Sequence, residues 1–381
     1  VSARNFDIAI IGGGIIGLAV ARALAGEKAR VVVIDAGNET PPATDAAAGM
    51  LAPSFEAGAG EPDALYGLSV RSLAAWPDFA AALEDETGME VDFRNDGILG
   101  VAFDERQAAA LKESCDVLRA RGAAVSFLDG TAARSLEPLL SDKIVAALYA
   151  QDDAQVDPRK VLTALRATVR KNVGPVLAAR AVNAGLANGR HVLTLSTGEH
   201  LEAETLVLAS GAASAQLVGG LPPPPVTPVK GEALAVQMGG REPRRVIRGP
   251  GAYLCPKADA RMVIGATEAA GRDDYEVDGH AIRELKARAD KVIPAAEPWP
   301  EVERWAGLRP ATPDGAPILG RDRRGPEGVF LALGHHRNGI LLAPSTGELL
   351  ALEVTGQPPL TVLQPFRPER FKNAPAARQH G

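Results

Sequence analysis

The chain has almost no cysteine: Cys115 and Cys255 are the two among 381 residues. Two residues so far apart are too few for a zinc site or a disulfide framework, and they point to a reducing compartment. Long apolar runs are missing as well. The longest candidate, Ile8 to Val20, is broken by four glycines; it falls short of the roughly 18 residues of a membrane-spanning helix and reads as strand, turn and helix. A basic excess is also missing. The 41 Lys+Arg against 47 Asp+Glu leave a net charge of −6, which argues against a nucleic-acid polyanion as the main partner. No internal repeat is visible, and the one low-complexity tract is the proline run 221–225. With 46% hydrophobic and 23% charged residues the composition is that of a globular protein, which excludes intrinsic disorder and a collagen-like fibre. The length suggests two domains or one interrupted domain. Val1 in place of Met suggests a trimmed start and leaves a removed targeting segment open, but no basic region precedes the strand Phe6–Ile11. The expected location is the cytoplasm.

What is present begins with a βαβ unit in the first forty residues. A strand (Ile8–Ile11) meets a glycine turn, then a helix with Ile15, Leu18, Ala19 and Leu24 on one side, then a strand Val31–Ile34 ending in Asp35. Val and Ile in both strands suit a parallel sheet covered on both faces. Further helices are expected over 65–83, 104–121 and 156–171, the last opened by Asp157-Pro158 as cap and first position. Strands are expected over 97–103, 176–182, 192–196 and 205–211. Beyond the prolines come strands at 231–236, 252–255 and 262–266, a charged helix 279–292, a strand 329–333 and a helix 339–354. Residues after Pro365 are polar, and a frayed end is expected there.

Gly12, Gly14 and Gly17 fit the G-x-G-x-x-G spacing in its required context, after a strand and opening a helix. Gly12 permits the tight turn, Gly14 a close approach of backbone to a pyrophosphate, and Gly17 close helix–sheet packing. The helix start then offers N–H groups and a positive dipole end to phosphate. Asp35 stands 18 residues beyond Gly17, where a carboxylate can accept the hydroxyls of an adenosine ribose. The unit alone fits FAD or NAD. Two further strand-to-glycine turns, Ser210-Gly211 and Gly334–Gly339, favour the longer flavin.

Six stretches are more specific: Ile11–Gly17, Ala46-Ala47-Ala48-Gly49-Met50-Leu51, Pro228–Glu232, Val263–Thr267, Trp305–Pro310 and Gly334–Pro344. Through them the chain resembles the D-amino-acid-oxidase superfamily of flavoproteins and, within it, the glycine oxidases of thiamine biosynthesis. The likeness implies a mixed α/β and α+β fold, with an interrupted Rossmann-like FAD-binding domain and an antiparallel-sheet substrate domain. The expected segments are 1–80, 145–220 and 305–365 for the first and 81–144 and 221–304 for the second, with a polar tail at 366–381. Non-covalent FAD is implied. Its expected contacts are Gly12, Gly14, Ile15, Ile16, Gly17, Asp35, Ala46, Ala47, Ala48, Gly49, Met50, Val182 and Gly211. Later in the chain they are Gly307, Arg309, Gly334, His336, Arg337, Asn338, Gly339, Ile340 and Leu341.

The reaction that the likeness implies is oxidation of a small amino acid or secondary amine to an imine by hydride transfer from Cα to the flavin, with molecular oxygen as acceptor. Such chemistry needs the substrate held by its carboxylate and its amine neutral; orientation supplies much of the barrier lowering. Arg309 is the candidate clamp, because a guanidinium matches a carboxylate with two parallel donors, and the resemblance puts its substrate arginine at this motif. Arg337, just before the last helix, shields or steers the carboxylate, or is a solvated charge. By resemblance the Tyr253 hydroxyl reaches the carboxylate too. Met50 packs on the flavin ring or simply fills core. Where the family has methionine after Gly265-Ala266-Thr267, this chain has Glu268; a solvent-facing strand end is the preferred reading, and a pocket-lining carboxylate that repels acidic substrates is the other. Glu303, Asp314 and His335 make no metal site. Two other readings stay open: a dehydrogenase feeding a quinone or partner protein, and the flavin subunit of a hetero-oligomer. A homo-oligomer is expected.

Overall fold

Strands rich in Val, Ile and Leu bury both faces, and that decides the centre of the first sheet. The computed structural model describes residues 4–37, 41–57, 62–216 and 223–371. Arg4–Ile11 pairs in parallel with Val31–Asp35 on one side and His200–Leu208 on the other. Val176–Ala178 and Val329–Leu333 extend the sheet in parallel at either side, and Ile318–Arg321 closes one edge antiparallel. The hairpin Ala181–Ala187 and Arg190–Leu195 also joins His200–Leu208 antiparallel. On one face Ile8, Ile10 and Val33 bury against the helices Ile15–Ala23, Asp63–Thr87, Pro158–Asn172 and Gly339–Val354. On the other, Ala9, Val32 and Ile34 bury against Leu193 and Leu195 of the hairpin.

The helix starts obey local chemistry. Asp157 accepts from Arg159 N and Lys160 N with Pro158 in the first turn, and Asp104 and Asp278 cap Glu105–Ala120 and Gly279–Val292 in the same way.

The second sheet runs in the order Ala269–Ala270, Thr227–Gln237, Arg261–Gly265, Ala252–Pro256, Val246–Gly249, Ile98–Ala102, Ala146–Ala150, Val125–Asp129, with Glu301–Ala311 on Thr227–Gln237. It is antiparallel except where Val246–Gly249 meets Ile98–Ala102. Ile282, Leu285, Ala289 and Val292 of Gly279–Val292 cover it.

Sheet membership departs from the expected segments at three places. Ala146–Ala150 and Glu301–Ala311 lie in the second sheet, because their backbones complete its ladders against Ile98–Ala102 and Thr227–Gln237. Residues 81–87 stay with the first core, because Ala80 and Leu83 carry the buried stripe of Asp63–Thr87 past residue 80. The expected frayed tail is docked at its start: Phe366 is buried in the first core and Arg367 pairs with the buried Glu353. Residues 372–381 and 221–222, the latter part of the proline run, lie outside the described residues. Among the described residues no helix is long and apolar enough to cross a membrane.

Candidate active site

A cleft of about 670 Å³ opens between the two sheets. From the first side come the turn Gly12–Gly14 with Ile15 and Ile16, Asp35, the segment Ala46–Met50, Gly211 and Gly334–Leu341. From the second come Gly231, Arg248, Tyr253, Gly265–Glu268 and Gly307–Pro310. Of the residues expected at the cofactor, Gly17 and Val182 do not line it. Gly17 instead sits where a Cβ would collide with the Gly12 carbonyl, which is its close-packing part. Val182 alternates to the other face of its strand, and Ala179, Arg180 and Ala181 line the cleft in its place.

At the nucleotide end Gly12 has φ +115°, and a Cβ there would strike Ala209 O, so only glycine makes the turn. Ile15 N, at the helix start, donates to Thr44 Oγ1 at 3.1 Å. Asp35 is already engaged. Its Oδ2 accepts from Arg166 Nη2 at 2.6 Å and its Oδ1 from Gly37 N at 3.3 Å. A carboxylate has about four acceptor sites, so both oxygens keep capacity for ribose hydroxyls.

Midway along the cleft two sets of backbone donors lack protein partners. The N–H groups of Ala48 and Gly49, both buried and lining the cleft, find no acceptor among the described residues. Buried N–H groups rarely go unpaired. The first-turn N–H groups of Gly339, Ile340 and Leu341 have no intrahelical acceptor either, and no side chain caps that helix. Its start is braced from behind. Pro344 has no N–H to donate within the helix, and Ser345 N turns to Ser72 Oγ at 3.3 Å. Leu341 O accepts from Ser72 Oγ at 2.7 Å and Trp76 Nε1 at 3.0 Å. The positive dipole end therefore stands fixed at the cleft. A flavin, with carbonyls and ring nitrogens on its edge, fits this donor set.

At the substrate end Arg248, Arg309 and Arg337 are among the residues that line the cleft. Two of them share one carboxylate. Glu56, buried on the helix Pro53–Ala57, pairs with Arg337 and accepts from Arg248 Nη1 at 3.2 Å. Arg309 pairs with no carboxylate among the described residues; its Nη1 donates to Thr267 O at 3.3 Å. Its guanidinium lies over Gly231, where any Cβ would collide with it. Tyr253 is half-buried beside it, within hydrogen-bonding reach, and desolvation pushes its phenol up to about 12. The tyrosine thus stays protonated and can donate. Arg309 and Tyr253 come together at the cleft wall, whereas Arg337 is half neutralised by Glu56.

The two histidines at the cleft are both held below their ordinary pKa. Burial pushes His335 down to about 3, with Nε2 on Thr346 Oγ1 at 3.1 Å. Burial, then the Arg337 and Arg309 charges, lower His336, whose Nε2 has no partner among the described residues. Glu268 is exposed, as the preferred reading has it, and it also borders the cleft: Thr267 turns its carbonyl to Arg309 and the next residue follows the wall. Among the described residues no group of three His, Cys, Asp or Glu could hold a metal. Sequence reasoning missed Glu56, Arg248, Thr44 and Arg166. None carries a local motif; each matters only through partners 29 to 281 positions away.

Comparison with known proteins agrees with this geometry. The family model described as FAD dependent oxidoreductase matches residues 7–352. The chain is 35% identical over 375 residues to the glycine oxidase of Geobacillus kaustophilus, covering 95% of this chain and 96% of that protein. It is 34% identical over 373 residues to the bifunctional protein ThiO/ThiG of Synechocystis, covering 96% of this chain but 54% of that protein, so it spans about half the length of this relative. The crystal structure of the Geobacillus kaustophilus glycine oxidase superposes with a TM-score of 0.89 at 34% identity, over 96% of this chain and 98% of that one. An iminodiacetate oxidase from Chelativorans superposes at 0.86 with 26% identity, over 95% and 98%. With a glycine turn and unpaired backbone donors placed for a flavin, and a family match across nearly its whole length, the chain belongs to the FAD-dependent oxidoreductases and takes FAD as its cofactor.

Proposed function

We propose that the chain is an amine oxidase that oxidises glycine, sarcosine or a small D-amino acid to an imine, which hydrolyses to a 2-oxo acid. The observation that carries this reading is Arg309: beside Arg248 and Arg337, which share Glu56, it has no carboxylate partner among the described residues. Bound FAD would supply the two-electron acceptor for the Cα hydride and the route of those electrons to oxygen, with hydrogen peroxide as the product. The protein's part is to hold and orient. Arg309 forks a substrate carboxylate, and the protonated Tyr253 hydroxyl adds a donor beside it. His335 and His336 are held below their ordinary pKa, so no imidazolium competes for the carboxylate or repels the amine.

The glycine oxidases among the relatives support the substrate choice, and the resemblance to thiamine-biosynthetic enzymes supports a place in thiazole formation. Arg309, Tyr253 and Arg337 are the proposed substrate residues. The remaining expected contacts, Val182 excepted, are proposed to hold FAD, with Gly17 acting through packing. Two buried, unpaired cysteines support a cytoplasmic setting, and self-association is proposed as a homo-oligomer, to be checked by light scattering. The decisive experiment is anaerobic bleaching of the bound flavin by glycine, sarcosine, D-alanine, D-proline and their L counterparts, followed by peroxide measurement in air. Bleaching by glycine with peroxide release supports the reading. Bleaching without peroxide favours a dehydrogenase, and no bleaching by any of them removes the substrate assignment.

A further inference from the structure

Lys257 is a buried ammonium with no part in anchoring substrate. It follows the strand Ala252–Pro256 and is 3% exposed. Its Nζ donates to the carbonyls of Ala48 and Val156, each at 2.7 Å, and to Gln155 Oε1 at 3.5 Å. No carboxylate pairs with it among the described residues. Burial holds its pKa below the ordinary lysine value, and burying such a charge costs several kcal/mol. A methionine of similar length would avoid that cost, so stability alone does not explain an ammonium here.

What Lys257 grips is the stretch of small residues that lines the cleft. Ala48 precedes Gly49, whose carbonyl accepts from Val156 N at 2.9 Å. The start of the stretch is tied from the same side. Ala46 O accepts from Trp305 Nε1 at 3.1 Å, and Asp45 O from Arg159 Nε at 3.0 Å. Arg159 is itself fixed, paired with both oxygens of Glu303 at 2.8 Å and stacked over the Trp305 ring at 4.9 Å. Behind the stretch is a void of only about 10 Å³, walled by Ala47, Arg159, Lys257 and Trp305 among others. That is room for about one water. The carbonyls of residues 45, 46, 48 and 49 are therefore all occupied by protein donors, while the N–H groups of Ala48 and Gly49 are not.

We propose that Lys257 is a cofactor-positioning residue: by holding the Ala48 and Val156 carbonyls it sets the segment 45–50 in the register that presents the Ala48 and Gly49 N–H donors to bound FAD, with Trp305 holding the Ala46 end. The role depends on FAD binding and not on which amine is oxidised.

The test uses the full chain with Lys257→Met, Lys257→Arg and Trp305→Phe. FAD is removed and titrated back, its affinity read from flavin fluorescence, its environment from the visible absorption bands, and apoprotein stability from thermal melting. Lys257→Met is expected to weaken FAD by about tenfold, the worth of one charged hydrogen bond, and to shift the longest-wavelength flavin band. Lys257→Arg recovers part of both. Trp305→Phe, which keeps a ring but loses the donor, moves both in the same direction by less. A folded Lys257→Met with unchanged affinity and spectrum overturns the proposal, whatever its melting temperature. Should Lys257→Met not fold, unchanged affinity and spectrum in Trp305→Phe overturn it.

Discussion

The two ends of the cleft are built on different principles. From the nucleotide end to the middle of the cleft the donors are backbone: a glycine turn, helix starts and the N–H groups of a stretch of small residues. At the substrate end they are side chains, and the outcome depends on how Arg248, Arg309 and Arg337 share Glu56. The donors of the glycine turn are set by local conformation, and those of residues 48 and 49 also by the side chains that grip the neighbouring carbonyls. A side-chain cation becomes a binding site only when nothing else neutralises it, which is a property of the whole neighbourhood.

This contrast can be broken by experiment, most severely at the turn. Gly12→Ala forces a side chain into a left-handed conformation and against Ala209 O; the purified variant is expected to carry no flavin, measured as the ratio of flavin to protein absorbance. A stoichiometric yellow preparation would show that the turn is not what holds the dinucleotide. Next in size, Arg309→Ala is expected to weaken glycine by about 2–5 kcal/mol with flavin content unchanged. Arg309→Lys should recover little of that, since an ammonium cannot fork a carboxylate. Unchanged kcat/KM in both would move the anchor elsewhere, with Arg337 the next to test.

Tyr253→Phe should cost about 1 kcal/mol, seen mainly as a raised KM. Its pH behaviour is sharper evidence. Burial raises the phenol to about 12, so the protonated donor persists on going alkaline and is lost only as pH rises through that value. A loss of substrate affinity centred near the ordinary tyrosine value, about 10, would contradict the buried placement. The smallest effect belongs to Glu268. Neutralising it as Glu268→Gln should raise the kcat/KM ratio of iminodiacetate to glycine by roughly threefold, because an exposed charge contributes under about 1 kcal/mol. Added salt should shrink that change.

Much of the nucleotide end was legible in advance. Gly12, Gly14, Gly17 and Asp35 lie within one βαβ unit, and the helices opened by Asp157 and Asp278 start where their caps stand. Arg309 was legible through its motif, but not the strand that carries it: Glu301–Ala311 alternates poorly in burial and joins the second sheet by its ladder with Thr227–Gln237. Glu56 and Arg248 carried no signal. Their meaning is their pairing, across 192 positions of chain.

Local sequence determined the first βαβ unit, the helix caps and the dinucleotide turn, because each rests mainly on hydrogen bonds and dihedral limits within a short stretch of chain. Tertiary structure alone decided which arginine of Arg248, Arg309 and Arg337 lacks a carboxylate, and that Glu268 borders the cleft. The reason is electrostatic: a charge is neutralised by whatever lies within a few ångströms, and that neighbourhood exists only once both sheets have come together.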